Sequence, residues 1–247
     1  MQTSTTERAT STVTLAVSTV IFALHAELGS ASLRIPLVRR IREPFDGQWA
    51  LPGGPIELTE PLEAAAGRNL LETTGLRSTY LEQLYCFGDV DRSPAERVVS
   101  VVYWALVRSD EADLATVGEN VQWFAADELP ELAFDHNTIV EYALWRLRNK
   151  MEYSRIAHAF LGETFTLAEL RQVHEAVLGK PLDPANFRRQ VESSEGIIAT
   201  EQRITGGAHR PPRLYRYDSS VALTDNGPLS TTGTQRNSGK RHDRVID

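Results

Sequence analysis

Cysteine is all but missing. Cys86 is the only one in 247 residues, which excludes an internal disulfide framework. Also missing is an apolar run long enough to cross a bilayer, which takes about 20 residues. The stretch that most invites that reading, "TVTLAVSTVIFALHAEL" (12–28), follows Arg8 as the core of a signal peptide would. Its Val13, Leu15, Val17, Thr19 and Ile21 alternate with Thr14, Ala16, Ser18 and Val20. A period of two, with apolar residues in both phases, describes a strand buried on both faces. A cytoplasmic protein with no membrane partner is expected. The sequence also lacks an internal repeat, which excludes solenoid architectures.

What is present is an ordinary globular composition with charge unevenly placed. Net charge is −7. Residues 1–147 carry 11 Lys+Arg against 21 Asp+Glu, whereas residues 148–247 carry 15 against 12. An acidic body with a basic C-terminal part implies an anionic partner for that part alone. The length allows two domains.

Residues 1–12 are polar and rich in Ser and Thr, as is the tail 219–247 in its lack of periodicity; both are expected to be disordered. After the first strand, "LRIPLVRRI" (33–41) alternates as a second strand, and "WALPGGPIE" (49–57) carries a Pro-Gly-Gly loop. "EPLEAAAGRNLLETTG" (60–75) predicts a helix closed by Gly75. "RVVSVVYWALV" (97–107) predicts a strand, and a periodic helix begins near His136. Strand, loop and helix followed by more strands imply a layered α/β domain over 13–153.

From about residue 154 the texture changes to two short helices and a hairpin. In "FTLAEL" (165–170), Thr166 and Glu169 predict a capping box, and Phe165 with Leu170 a hydrophobic staple. "DPANFRRQV" (183–191) starts a second helix with Asp183 as N-cap and Pro184 in the first helical position. Residues 197–218 read as two strands around a Gly-Gly turn. This is the pattern of a winged helix-turn-helix, here over 154–218, whose second helix would enter the major groove. Phe187 and Val191 would face the core; Asn186, Arg188 and Arg189 would reach base edges, where Asn and Arg read adenine and guanine. Thr166, Lys180, Arg203, Arg210 and Arg213 are the further candidate DNA contacts, suited to phosphates. An Arg-Arg pair alone is usually a solvated helix face; the capped pair of helices with a basic wing carries the argument.

Starting at Gly54, the sequence presents Gly54, Glu60, Arg68, Asn69, Leu70, Glu72, Thr73, Gly75 and Leu76 at the defined positions of a pattern G-x5-E-x7-R-E-U-x-E-E-x-G-U, with seven of nine matching. Taken singly, Leu62, Ala66, Leu70 and Gly75 describe only an amphipathic helix with its cap, and Arg68 with Glu72 an ordinary i,i+4 pair. The whole constellation resembles the Nudix box, the metal-binding motif of enzymes that hydrolyse nucleoside diphosphates linked to another group. The resemblance implies a Nudix α/β/α sandwich. In that family the three helix carboxylates serve as base and magnesium ligands, and two of them are replaced here by Asn69 and Thr73. Loss of a general base costs on the order of 10²–10⁴ in rate, so little or no hydrolysis is expected and no catalytic residue is assigned. Glu57, Glu60 and Glu72 remain as a vestigial set that would hold magnesium weakly; no cofactor is required.

Residues 84–107 resemble the corresponding part of ADP-ribose-recognising Nudix proteins. Arg92 and Arg97 are candidates for gripping phosphate, because a guanidinium matches phosphate oxygens bidentately; the bland alternative pairs them with Asp89, Asp91 or Glu96. Gly53, Gly54 and Arg68 complete the candidate ligand residues. An acidic Nudix domain followed by "FTLAELRQVHEAVLGKPLDPANFRRQV" and "RPPRLYRYD" is similar, over about residues 14–217, to the Nudix-related transcriptional regulators of NAD metabolism, the NrtR family. The resemblance implies a dimeric bacterial repressor of NAD biosynthesis or salvage genes that binds a palindromic operator and is released by ADP-ribose or a related nucleotide. An ADP-ribose pyrophosphatase with an appended interaction domain is the alternative, and a Nudix-like partner-binding protein without DNA function a third.

Overall fold

The computed structural model describes residues 12–218 apart from 28–29, 79, 113–119, 154–155, 195 and 204–210. The two tails expected to be disordered, and Arg210 with the Gly-Gly turn of the wing, lie outside the described residues.

The first domain is built on a seven-stranded sheet. Its strands are β1 (Thr14–Glu27), β2 (Ser30–Arg39), β3 (Trp49–Ala50), β4 (Gly53–Pro55), β5 (Tyr80–Phe87), β6 (Val98–Val107) and β7 (Val121–Ala125). The spatial order is β3-β2-β1-β6-β5, with β4 added to β1 and β7 to β2. Among the described strands β1 and β6 are the pair that runs parallel, in register from Thr14 opposite Val98 to Ala23 opposite Val107. The helices are α1 (Leu62–Thr74), α2 (Ser109–Ala112) and α3 (His136–Tyr153).

The two-phase apolar pattern of β1 has a direct structural meaning. Val17, Ile21 and Ala23 pack beneath α1 against Ala65, Ala66 and Leu70. Val20, Phe22 and Leu24 face the other way, into a cluster with Trp104 of β6 and Ile139, Ala143 and Leu147 of α3. Both faces are therefore dry, as expected of a central strand between two helical layers. Gly75 ends α1 in the left-handed region (φ 72°), its N–H donating to the Leu71 carbonyl at 2.8 Å. Gly53 is demanded by packing: a Cβ there would sit 2.6 Å from the Val17 carbonyl oxygen, where β4 lies on β1.

The second unit holds a 3₁₀ turn (Ile156–Phe160), α4 (Leu167–Leu178), α5 (Pro184–Ser193) and the hairpin β8 (Ile197–Arg203) with β9 (Arg213–Tyr217). The Thr166–Glu169 capping box is complete in both directions, and Phe165 and Leu170 of the staple are buried. Such a cap stabilises by about 1 kcal/mol. Asp183 accepts the Asn186 N–H at 2.8 Å, with Pro184 opening α5. Phe165 also exchanges backbone hydrogen bonds with Tyr215 of β9, at 2.9 and 2.8 Å, so the wing is anchored to the start of α4.

One apolar cluster runs through both units, from Val20 and Leu147 to Phe160, Val173, Phe187 and Tyr215. Among the described residues no helix is long and apolar enough to cross a membrane.

Candidate ligand cleft and nucleic-acid interface

The loops at one end of the sheet enclose a cleft of about 570 Å³. Gly53, Gly54, Asn69, Glu72 and Arg92, five residues central to the sequence reading, line it. The box helix contributes little that is anionic. Asn69 is buried and turns its amide into the protein, donating to the Val17 carbonyl at 3.3 Å. Thr73 is uncharged. Arg68 grips Glu60 through two bonds, at 2.9 and 2.8 Å, and reaches Glu72 at 3.4 Å. That guanidinium holds the Glu60 carboxyl below the usual carboxylate range.

Glu57 is exposed and, like Glu60, does not line the cleft. No three His, Cys, Asp or Glu side chains among the described residues gather as a metal site. Of the expected vestigial set, Glu60 and Glu72 are paired with Arg68 and Glu57 stands apart from the cleft. As arranged, the three carboxylates do not gather around one point.

The arginines also differ from expectation. Arg92 is buried in the cleft wall, its side chain 4% exposed. It meets Asp135, 43 residues away, through Nε at 2.9 Å and Nη2 at 2.7 Å, not the nearby Asp89, Asp91 or Glu96. Arg97 is turned away from the cleft and donates to the carbonyls of Gly88, Asp89 and Val98 at 2.8, 2.9 and 3.2 Å. It ties down its own loop, so its expected phosphate-gripping role is corrected. Arg68, bound between two glutamates, likewise does not line the cleft.

What the sequence reading missed is the rim formed by the end of β2 and the segment after it. Arg39, Arg40 and Arg42 all line the cleft. Arg39 and Arg40 read only as the end of a strand over 33–41 and Arg42 falls outside it, because nothing local distinguishes an arginine at a cleft from one in water. The floor is polar but closed: Ser18 and Ser100 share a hydrogen bond at 3.0 Å. His136 accepts the Leu51 N–H on Nδ1 at 3.0 Å, and burial, chiefly, pushes its pKa down to about 4. It is a neutral ring at pH 7.

At the other end of the molecule, α5 buries Phe187 and Val191 and exposes Asn186, Arg188 and Arg189. Arg188 pairs with Glu192 at 2.9 Å, both largely exposed. Lys180, in the turn between α4 and α5, and Arg203, Arg213 and Arg216 on the hairpin are exposed too. Thr166 is 6% exposed, its hydroxyl committed to the Glu169 N–H at 3.1 Å. Its expected role as a DNA contact is corrected, since the cap has consumed the side chain.

A helix whose polar face points outward beside a basic hairpin is the geometry of a DNA-reading winged helix. Comparison with known proteins agrees. Residues 157–217 match the NrtR DNA-binding winged helix domain, and residues 14–143 match the NUDIX domain. The chain is 36% identical over 190 residues to the ADPR responsive transcriptional repressor NtrR of Acinetobacter baylyi, covering 75% of this chain and 76% of that protein. This chain belongs to the NrtR family. The crystal structure of Shewanella oneidensis NrtR complexed with a 27mer DNA superposes with a TM-score of 0.70 at 36% identity, over 83% of this chain and 93% of that one. The chain is also 35% identical, over 114 residues, to an ADP-ribose pyrophosphatase of Methanocaldococcus jannaschii, covering 46% of this chain and 68% of that protein. A Nudix domain over 14–143 followed by a winged helix over 157–217 is the arrangement found here, and the pyrophosphatase likeness covers less than half of this chain.

Proposed function

We propose that this NrtR-family chain is a transcriptional repressor that binds a palindromic operator as a dimer and is released from it by ADP-ribose or a related nucleotide bound in the Nudix cleft. The observation that carries the reading is the exposed face of α5. It presents Asn186, Arg188 and Arg189 opposite a buried Phe187–Val191 stripe. Those side chains read base edges, while Lys180, Arg203 and Arg213 position the module on phosphates. Arg210 belongs to the same wing by sequence. Two copies would read half-sites about one helical turn apart, and a nucleotide would release DNA by favouring a dimer geometry with the wrong spacing. NAD biosynthesis or salvage genes are the proposed targets, on family likeness.

Catalysis plays little part in this account. Asn69 offers no base and Thr73 no charge, and of the glutamates that remain Glu60 and Glu72 are paired with Arg68. Turnover would also destroy the signal that a sensor reads. The pyrophosphatase alternative rests on the likeness of 46% of this chain to an ADP-ribose pyrophosphatase. It requires AMP release from ADP-ribose that Glu72→Gln abolishes.

The test is fluorescence anisotropy of labelled promoter DNA from NAD-synthesis operons, titrated with the full chain at fixed salt against scrambled DNA. Tight binding to the promoter sequence alone supports the repressor. Equal binding to both DNAs overturns it.

A further inference from the structure

The cleft poses a charge problem. A nucleoside diphosphate brings about two negative charges, and Nudix boxes answer them with a metal ion. Here two of the box carboxylates are replaced by Asn69 and Thr73. Glu60 and Glu72 are paired with Arg68, Glu57 is exposed away from the cleft, and Glu72 is the one box carboxylate on the cleft wall. Something else has to meet the phosphates.

The β2–β3 segment, residues 40–48, is built as a braced rim. Arg40 N–H donates to the Gln48 carbonyl and Gly47 N–H to the Arg40 carbonyl, each at 2.9 Å. The Arg40 side chain is spent on this brace. Its Nε donates to the Pro44 carbonyl at 2.9 Å, its Nη2 to the Arg42 carbonyl at 3.3 Å, and its guanidinium lies 4.6 Å over the Phe134 ring. Phe45 meets the same ring edge-on at 4.9 Å. Phe45 and Phe134 both hold left-handed backbone, φ 68° and 59°. Such conformations cost of order 1–3 kcal/mol each and persist where the surroundings over-determine them, often around ligand sites.

The brace leaves two cations on the rim uncommitted to any carboxylate. Arg39 is exposed and, among the described residues, makes a single side-chain bond, Nε to the Gly47 carbonyl at 3.2 Å. Among the described residues the Arg42 guanidinium has no hydrogen-bond or ion-pair partner. Arg92, deeper in, is already satisfied by Asp135. A braced segment that places two arginines, neither paired with a carboxylate, on the lining of a cleft suits an anion, because part of the ordering is done before binding.

We propose that this cleft takes its nucleoside diphosphate without a divalent cation, with the diphosphate held by Arg39 and Arg42. The proposal rests on the reading of the cleft as a nucleotide sensor. It gives the lost glutamates a consequence: the effector reports its own concentration, independent of magnesium.

The test is calorimetric titration of the full chain with ADP-ribose in excess EDTA and again in excess magnesium. The two dissociation constants are expected to agree within about twofold. Arg42→Ala and Arg39→Ala each weaken binding on the order of tenfold, the weight of one charge-assisted contact, and Arg42→Lys falls between, keeping the charge but losing the fork. Thermal melting of each variant verifies the fold. Binding that appears only with magnesium overturns the proposal, as do alanine variants that bind as tightly as the parent. Absence of binding in both conditions overturns it too. Operator binding by the same preparation, measured without nucleotide, separately decides whether the DNA-binding reading stands.

Discussion

Arg148 of α3 donates its Nε hydrogen to the carbonyl of Val177 in the last turn of α4, at 2.9 Å, while its Nη2 meets Asp127 at 2.6 Å. The last carbonyls of a helix have no partner inside it and attract cations. One side chain of the sandwich thereby closes the end of a helix in the DNA-reading unit. The start of α3 lies at the cleft, where His136 is part of the wall. An 18-residue helix, about 27 Å long, therefore joins the ligand end to the winged helix.

Arg148→Ala is expected to lower stability by about 1–2 kcal/mol, because it strands the Val177 carbonyl as well as removing a bond. Arg148→Lys should recover part of the loss. Urea unfolding followed by circular dichroism measures both. Unchanged midpoints in the alanine variant would show that water replaces the guanidinium at no cost.

On α5, Arg188→Ala and Arg189→Ala should each weaken operator binding by roughly 1–3 kcal/mol if that side chain contacts a base, and relax specificity at one position. Arg213→Ala on the wing should weaken binding to all sequences alike and flatten the salt dependence by about one unit of slope. Anisotropy titrations at several salt concentrations separate the two patterns. Full affinity in both helix variants would remove α5 from the interface.

Returning carboxylates to the box tests why they left. A glutamate at position 69 would set a carboxylate against the Val17 carbonyl that Asn69 now satisfies at 3.3 Å. Asn69→Glu is expected to cost roughly 1–3 kcal/mol, whereas Thr73→Glu, only half-buried, should fold normally. Magnesium should leave the melting temperature of the parent unchanged. An Asn69→Glu variant as stable as the parent would mean that the site still has room for the ancestral chemistry.

Two imidazoles predict the acid limb of stability. Burial pushes both His136 and His174 down to about 4, against about 6.5 in an unfolded chain. Below pH 6.5 the unfolded chain takes up protons that the folded one refuses, so stability falls as pH drops and levels off once pH passes below 4. His174 packs on the Phe187 ring at 5.2 Å. His174→Phe should therefore shrink the loss between pH 7 and pH 4, by about 3 kcal/mol at most. Parallel acid-side slopes for parent and variant would contradict the buried neutral ring.

Local signals were readable in the chain and long-range ones were not. The two apolar phases of β1, the Thr166–Glu169 box, the Asp183–Pro184 start and the Gly75 stop each act within a turn or a strand, and each is found in place. β5 escaped because a register shift between Gln83 and Tyr85 breaks its alternation, and β7 because five residues are too few to show a period. The Arg92–Asp135 pair spans 43 positions and exists only once the sheet is assembled. The box itself was legible as a pattern, but not that Arg68 would occupy its remaining carboxylates or that Arg39 and Arg42 would face the cleft. Thr166 shows the converse: a polar residue named for DNA was already claimed by its helix.

The measurement that bears most directly on the account is release. A preformed complex of the full chain with its labelled operator is titrated with ADP-ribose in EDTA, and anisotropy is followed. The account predicts a saturable fall to the value of free DNA, with AMP as a competing ligand causing little release because it lacks the diphosphate. An operator complex that ADP-ribose leaves intact, with or without magnesium, would contradict the claim that this Nudix cleft governs DNA binding.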